Sequence, residues 1–360
     1  MTKSSSFNYS NLIPEQRILA IQRLTALWAF CECGLGGLMH ALQIPFTGLV
    51  IGGLAVIIIT FIARLSVNGY SQILQCLPIV LIVKAMVSPY TPFPAYLAVS
   101  FQAITAMVLF SIFRVNLLSI LLLAVITMVE SALQQLLILT LFFGRSFWKV
   151  ADDMVSLMAR QLGSTVNNGS FWLIAIYMLI YITGGIMVAL MAYRVTNNFF
   201  SENKNNHELP EKGSTLVYHL PEIPRRKNFR AKLWLLFTVM LIVSIALFLF
   251  AADAKQGWVG VIKALCWTLS AILVWFMFIS PLFSRLILKV LHKKQSRYSE
   301  AISRTMEFLP VLQPLTAMAW QNTRDHKGWK RIQFFFSTLV SWALVYSDIP
   351  QPEKNNNPTQ

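Results

Sequence analysis

AYLAVSFQAITAMVLFSIFR, residues 95–114, decides the fold. Nineteen residues pass without a charge before Arg114 closes the run. A bilayer's hydrocarbon core, about 30 Å thick, takes about 20 apolar residues of helix. No water there satisfies a bare peptide group, so a run of this length is helical. Similar runs flank it, at about 24–43, 47–63, 73–87, 116–143 and 171–193, which makes six spans in the first part of the chain. Three more follow, at about 233–252, 258–284 and 332–346. The 360 residues are 56% hydrophobic and 12% charged, with a mean hydropathy of +0.59. Soluble domains are about 45–50% apolar and about 25% charged. The expected fold is therefore all-α, a polytopic helical membrane protein of about nine transmembrane helices, six plus three, with cytoplasmic amphipathic helices.

The polar segments divide this chain. Residues 1–23 form a weakly basic lead-in with Lys3, Arg17 and Arg23. No small-residue cleavage site follows a short apolar region there, so the first span is expected to stay. Residues 24–193 hold the six spans, 194–232 a basic linker, 233–347 a second membrane block, and 348–360 a tail whose composition reads as disordered. Ile44-Pro45-Phe46-Thr47-Gly48 is a turn by its Pro and Gly content. Ser88-Pro89-Tyr90-Thr91-Pro92-Phe93-Pro94 reads as a stiff, uncharged loop, because its prolines forbid regular helix. Between Arg145 and Leu162, Trp148, Met154, Leu157, Met158 and Leu162 have the spacing of a helix lying on a membrane surface.

The formal net charge is +15, and it is unevenly placed. The linker carries eight Lys/Arg against four Glu; residues 285–331 carry ten Lys/Arg against Glu300, Glu307 and Asp325. Charge gathered between spans follows the positive-inside rule, which puts the N-terminus in the cytoplasm of an inner membrane and argues against nucleic-acid binding. The cysteines, Cys31, Cys33, Cys76 and Cys266, lie in apolar runs and read as small buried side chains. Cys31-x-Cys33 has no second pair and no His at ligand spacing, so no metal is expected. Gly34-Leu35-Gly36-Gly37 lies inside a span and is no phosphate loop, and no G-x-x-x-x-G-K-[ST] occurs. No catalytic residues and no cofactor are expected, and any ATP would be used by a separate subunit.

Glu32, Lys84 and Glu130 are ionisable residues inside predicted spans. Each costs about 2.5–3.5 kcal/mol near the bilayer centre on insertion scales, so such groups face the interior and find partners. Thr127, Glu130, Ser131, Gln134 and Gln135 form a polar arc on the fifth span, since positions three and four apart share a helix face. Gln102 and Thr105 add a smaller patch on the fourth. Two readings stand. Lys84 pairs with Glu32 or Glu130 and holds the bundle in register, or Lys84, Glu130, Gln134, Gln102 and Glu32 line a substrate site. In the second reading Lys84 suits an acidic group, while Glu130 and the glutamines suit N–H or hydroxyl donors.

On the first span Ala29, Cys33, Gly37 and Ala41 recur every four residues. Such a small-residue stripe lets another helix approach closely, within this chain or from another. In residues 297–325 two amphipathic pieces are expected, about 297–308 and 311–322, broken at Pro310. They can lie along the membrane face and offer a rim to a partner, or serve as a basic connector held by anionic headgroups at about 1 kcal/mol per Lys/Arg.

The six spans with their stripe, the Pro/Gly turn and the glycine-rich second span resemble the substrate-binding S component of energy-coupling factor (ECF) vitamin transporters. The second block resembles the C-terminal part of the family's T component. Glu307-Phe308-Leu309-Pro310-Val311-Leu312 is similar to the motif that opens its second coupling helix, and Thr323-Arg324-Asp325 stands near its Ala-Arg-Gly triplet. The resemblance implies a fused membrane subunit that takes up a small water-soluble nutrient and couples to ABC-type ATPase subunits. It implies partner-binding roles for Arg304, Phe308, Pro310 and Arg324. A reading from another class is a non-transporting scaffold or regulatory protein that recruits a cytoplasmic partner through the same basic helices.

Overall fold

The computed structural model describes residues 14–36, 39, 46–66, 69–88, 93–161, 163, 168–201, 282, 289 and 298–345. The elements among them are helices: α1 Pro14–Phe30, continued by a π-helical turn Cys31–Leu35, then α2 Thr47–Leu65, α3 Ser71–Val87, α4 Phe93–Phe113, α5 Leu117–Gln161, α6 Gly169–Ser201, α7 Ser299–Asn322 and α8 Gly328–Val345. Among the described residues five segments are long and apolar enough to cross a membrane: Glu15–Leu35, Thr47–Leu65, Phe93–Phe113, Leu117–Arg145 and Gly169–Phe200. Ser71–Val87 is apolar but shorter. Five of the six runs of the first block coincide with these helices to within a few residues; the first, expected at 24–43, is displaced toward the N-terminus, so that residues 14–23 of the expected polar lead-in are helical. The expected spans at 233–252 and 258–284, and most of the linker, lie outside the described residues, as do Gly37 and Ala41.

The chain divides into two compact units, Met1–Gln134 with Ile176–Glu211 and Phe283–Gln360, and Gln135–Ala175 with Lys212–Leu282. In the first, α1 packs against α2, α3, α7 and α8, and α4 against α2 and α3. Leu24, Leu27 and Trp28 of α1 are buried in one core with Phe61 of α2, Ile73 of α3, Phe110 of α4, Leu312 of α7 and Ala343 of α8. Leu179, Ile180, Met187 and Leu190 of α6 stay exposed, an apolar surface suited to lipid.

The α4–α5 connection is short and tightly held. Arg114 takes a left-handed φ of 57° to end α4. Asn116 and Ser119 then cap α5 reciprocally: Ser119 N–H donates to Asn116 Oδ1 at 2.8 Å, and Asn116 N–H to Ser119 Oγ at 3.0 Å. The Ser119 hydroxyl also donates to Arg114 O at 2.7 Å. This capping box fixes where α5 begins, and so the antiparallel register of the hairpin.

Within Leu117–Gln161, Gly144 turns the chain with φ 67° and ψ −160°. Glycine alone adopts that conformation at little cost. Beyond it, of the residues expected on a membrane-surface helix, Met154, Leu157 and Met158 are exposed, as are the charged Asp153 and Arg160, and Leu162 lies outside the described residues. In this second unit Asp152 accepts the Ser170 N–H at 2.6 Å and so caps the start of α6.

Pro310 does not divide residues 299–322: the expected pair of pieces is a single helix running through both Pro310 and Pro314. Each proline removes a hydrogen bond. The compensation is packing: Ile302, Thr305, Leu312, Leu315 and Ala319 form a buried face on both sides of Pro310, while Pro310 itself is exposed. Helices α7 and α8, grouped by sequence with residues 233–347, lie in the first unit beside α1.

Candidate functional site

The three ionisable residues singled out within the predicted spans separate into two arrangements. Glu32 sits in the π-helical turn, where the extra residue per turn displaces side chains from the α-helical pattern. Its Oε2 receives Lys84 Nζ at 2.7 Å, and both side chains are 5% exposed. Lys84 Nζ also stands 5.9 Å from the Tyr96 ring centroid. Of the pairings open to Lys84, the structure contains the one with Glu32. A buried pair of this kind is neutral as a unit, and removal of either member strands the other's charge.

Glu130 lies on α5 in a different setting. Gln134 Nε2 donates to Glu130 Oε1 and, at 3.4 Å, to Pro94 O at the start of α4. Both amide hydrogens of Gln134 thus hold the carboxylate against α4. Glu130 Oε2 is buried and has no hydrogen-bond partner among the described residues. Gln102, 5% exposed on α4, has a buried Oε1 in the same condition. Thr127 lies between them on α5, but its hydroxyl bonds its own helix, at Leu123 O (2.8 Å) and Ala124 O (3.0 Å).

Helix α2 closes on this cluster through glycines. A Cβ at Gly52 would lie 3.0 Å from Gln102 Nε2 and 3.4 Å from Met128 Cε. A Cβ at Gly48 would overlap Ser131 Oγ. The glycine-rich character of this span therefore makes room for the polar side chains of α4 and α5. Beside it Phe46, Tyr177 and Tyr181 form an aromatic group, with Tyr177 and Tyr181 centroids 4.9 Å apart and Tyr177 Oη donating to Tyr181 Oη at 3.2 Å. Sequence reading passed over this group, whose one signal there is the four-residue spacing of Tyr177 and Tyr181.

The residues singled out for partner binding are spread along α7 and its end. Arg304 is exposed and pairs with Glu300 at 2.6 Å, one turn away. Phe308 is half-buried, with the Arg23 guanidinium 5.9 Å from its ring centroid. Pro310 and Arg324 are exposed. In the small-residue stripe, Ala29 and Cys33 are buried inside the first unit. The stripe is thus covered from within this chain at those two positions. Cys31, Cys33 and Cys76 are free and buried.

Two arginines carry structural roles that sequence did not reveal. Arg23 donates to Ala343 O at 3.5 Å and to Leu344 O, satisfying carbonyls that the end of α8 leaves bare. Arg64 Nη2 donates to Asn197 Oδ1 at 2.7 Å, tying α2 to α6. Neither role is visible in the sequence, because the partners are more than 100 residues away.

No family model matches the chain, and no curated protein or solved structure matches it either.

Proposed function

We propose that the chain is a membrane subunit of an ECF-type uptake transporter. It binds a small water-soluble nutrient between α2, α4 and α5 and takes its energy from separate ABC-type ATPase subunits. In this reading the membrane is the cytoplasmic one and the N-terminus lies on its inner side. The observation that carries it is the pair of buried acceptors, Glu130 Oε2 and Gln102 Oε1, without partners among the described residues. Leaving such a group unsatisfied costs roughly 1–3 kcal/mol, more when it is charged. Of the buried polar side-chain atoms without partners among the described residues, these two lie together in one helical hairpin. A ligand with donors removes that cost.

The test has two parts. Purification from its native membrane in mild detergent is expected to recover an ATP-binding-cassette ATPase, identified by mass spectrometry. Cells expressing both are expected to accumulate a member of a radiolabelled set of water-soluble vitamins and amines, with Glu130→Gln abolishing accumulation. Repeated recovery without an ATPase, together with no accumulation, overturns the proposal.

A scaffold or regulatory role is the second reading. It is favoured by the outer face of α7, where Arg304, Glu307, Gln313, Gln321 and the following Arg324 are exposed. It expects a soluble protein bound through that face and no dependence on Glu130.

A further inference from the structure

The chemistry around Glu130 narrows the ligand to one class. We infer that the α4–α5 hairpin binds a small organic cation whose N–H groups donate to Glu130 Oε2 and Gln102 Oε1. This deepens the uptake reading and rests on it for the site's purpose, though not for its chemistry.

Charge comes first. Lys84 and Glu32 cancel one another at 2.7 Å. Glu130 has no ion-pair partner among the described residues. One carboxyl group therefore stands in the bundle with no counter-charge among the described residues, one oxygen held by an amide. Burying a charge without a counter-charge is far more costly than burying a neutral polar group, so this carboxyl is neutral until a cation arrives and gives up its proton when one binds. A cation answers that deficit, while an anion deepens it.

Directionality comes next. With Glu130 ionised by the arriving cation, both vacant atoms are acceptors, so the groups they lack are donors. Glu130 is already oriented, because Gln134 occupies its Oε1 and leaves Oε2 as the free position. The hairpin register sets the offset, along the helix axes, between the residues that carry the two acceptors. Gln134 meets Pro94, so Gln102, eight residues further along α4, lies level with residue 126 of α5. Glu130 is four residues from that level, about 6 Å along the helix axis. A flat, planar cation with several N–H groups, such as an amidinium or guanidinium, spans such a gap and matches a carboxylate. Gly52 leaves Gln102 its room, since a side chain there would press on the amide.

The test uses the full chain in nanodiscs of neutral phosphatidylcholine and two matched probe sets: acetamidinium, acetamide and acetate, and benzamidinium, benzamide and benzoate. Members of a set share shape and differ in charge. Isothermal titration and thermal shift are expected to show, in at least one set, the amidinium bound at least tenfold more tightly than its amide, with the carboxylate not bound. Glu130→Gln is expected to remove that tenfold preference while the unliganded protein melts at an unchanged temperature. Gln102→Leu, which keeps an apolar filler beside Gly52, is expected to weaken the amidinium several-fold. The inference is overturned if neither amidinium exceeds its amide, or if the preference survives Glu130→Gln. Cation binding without ATP-driven accumulation would instead overturn the uptake reading and leave this site standing. Glu130-dependent accumulation of a neutral or anionic solute would overturn the cation class and leave uptake standing.

Discussion

Glu32 and Glu130 are both carboxylates on helices of the first unit, and they are held in opposite ways. Glu32 is closed: Lys84 satisfies its charge, and both side chains are buried. Glu130 is half-closed: one oxygen is held by Gln134 and the other has no partner among the described residues. The difference teaches how to weigh an ionisable residue in a membrane helix. A fully matched pair makes the bundle more specific, and its worth shows when one member is lost. A carboxylate oriented by its neighbours yet left with a free oxygen is pre-organised for something that arrives.

The largest effect should come from breaking the closed pair. Lys84→Ala strands Glu32 and is expected to destabilise the protein by about 3–5 kcal/mol, read by unfolding in detergent micelles. Replacing both members with apolar or neutral residues of similar size, Lys84→Met with Glu32→Gln, is expected to return stability to within about 1 kcal/mol of the native chain. A double variant as unstable as the single one would show that the two residues do not act as a pair.

A smaller effect is expected from crowding the open group. In Gly52→Ala the new Cβ would sit 3.0 Å from Gln102 Nε2 and 3.4 Å from Met128 Cε. Both neighbours are ends of flexible side chains, so they give way. The overpacking cost is expected to be about 1 kcal/mol, partly offset by alanine's better helix propensity. Ligand affinity is expected to suffer more than stability, since Gln102 is the group displaced. Equal loss of both would mean that Gly52 serves packing alone.

Glu130→Gln should barely move stability, by about 1 kcal/mol or less, because the shape is kept and no counter-charge is stranded. That is the sharpest contrast with Lys84→Ala. A loss as large as that of Lys84→Ala would show that Glu130 has a structural counter-ion after all.

The sequence makes parts of this contrast legible and hides others for physical reasons. The six apolar runs are plain because hydrophobic length is a local property, and the polar arc of Thr127, Glu130 and Gln134 follows from helical periodicity alone. The choice of Glu32 over Glu130 as partner of Lys84 depends on how helices are rotated about their axes, which no single run encodes. The π-helical turn at Cys31–Leu35 adds to that, since it shifts the phase of Glu32. Pro310 misleads for a related reason. Its local cost is real, but the buried face through Ile302, Leu312 and Leu315 is assembled from helices hundreds of residues away in sequence. The stripe of Ala29 and Cys33 signals close approach correctly, without saying whether the neighbour belongs to the same chain.

The smallest effect belongs to a carboxylate outside the spans. Asp152 accepts the Ser170 N–H at 2.6 Å, and that hydrogen bond holds its carboxyl below the usual Asp range. A folded-state value below the unfolded one means that the ionised form stabilises the fold. The contribution is fully present above the unfolded value of about 3.9 and is lost as pH falls through the folded one. Hydrogen exchange at the first turn of α6 is therefore expected to quicken, relative to intrinsic rates, as pH falls below about 4. Asp152→Ala should show the faster exchange at every pH, because the cap is gone. Asp152→Asn keeps an acceptor that does not titrate, so its protection should be intermediate and independent of pH. Protection in the native chain that did not change with pH would place the stability of this turn in the packing of Gly169 against Val155 rather than in the cap.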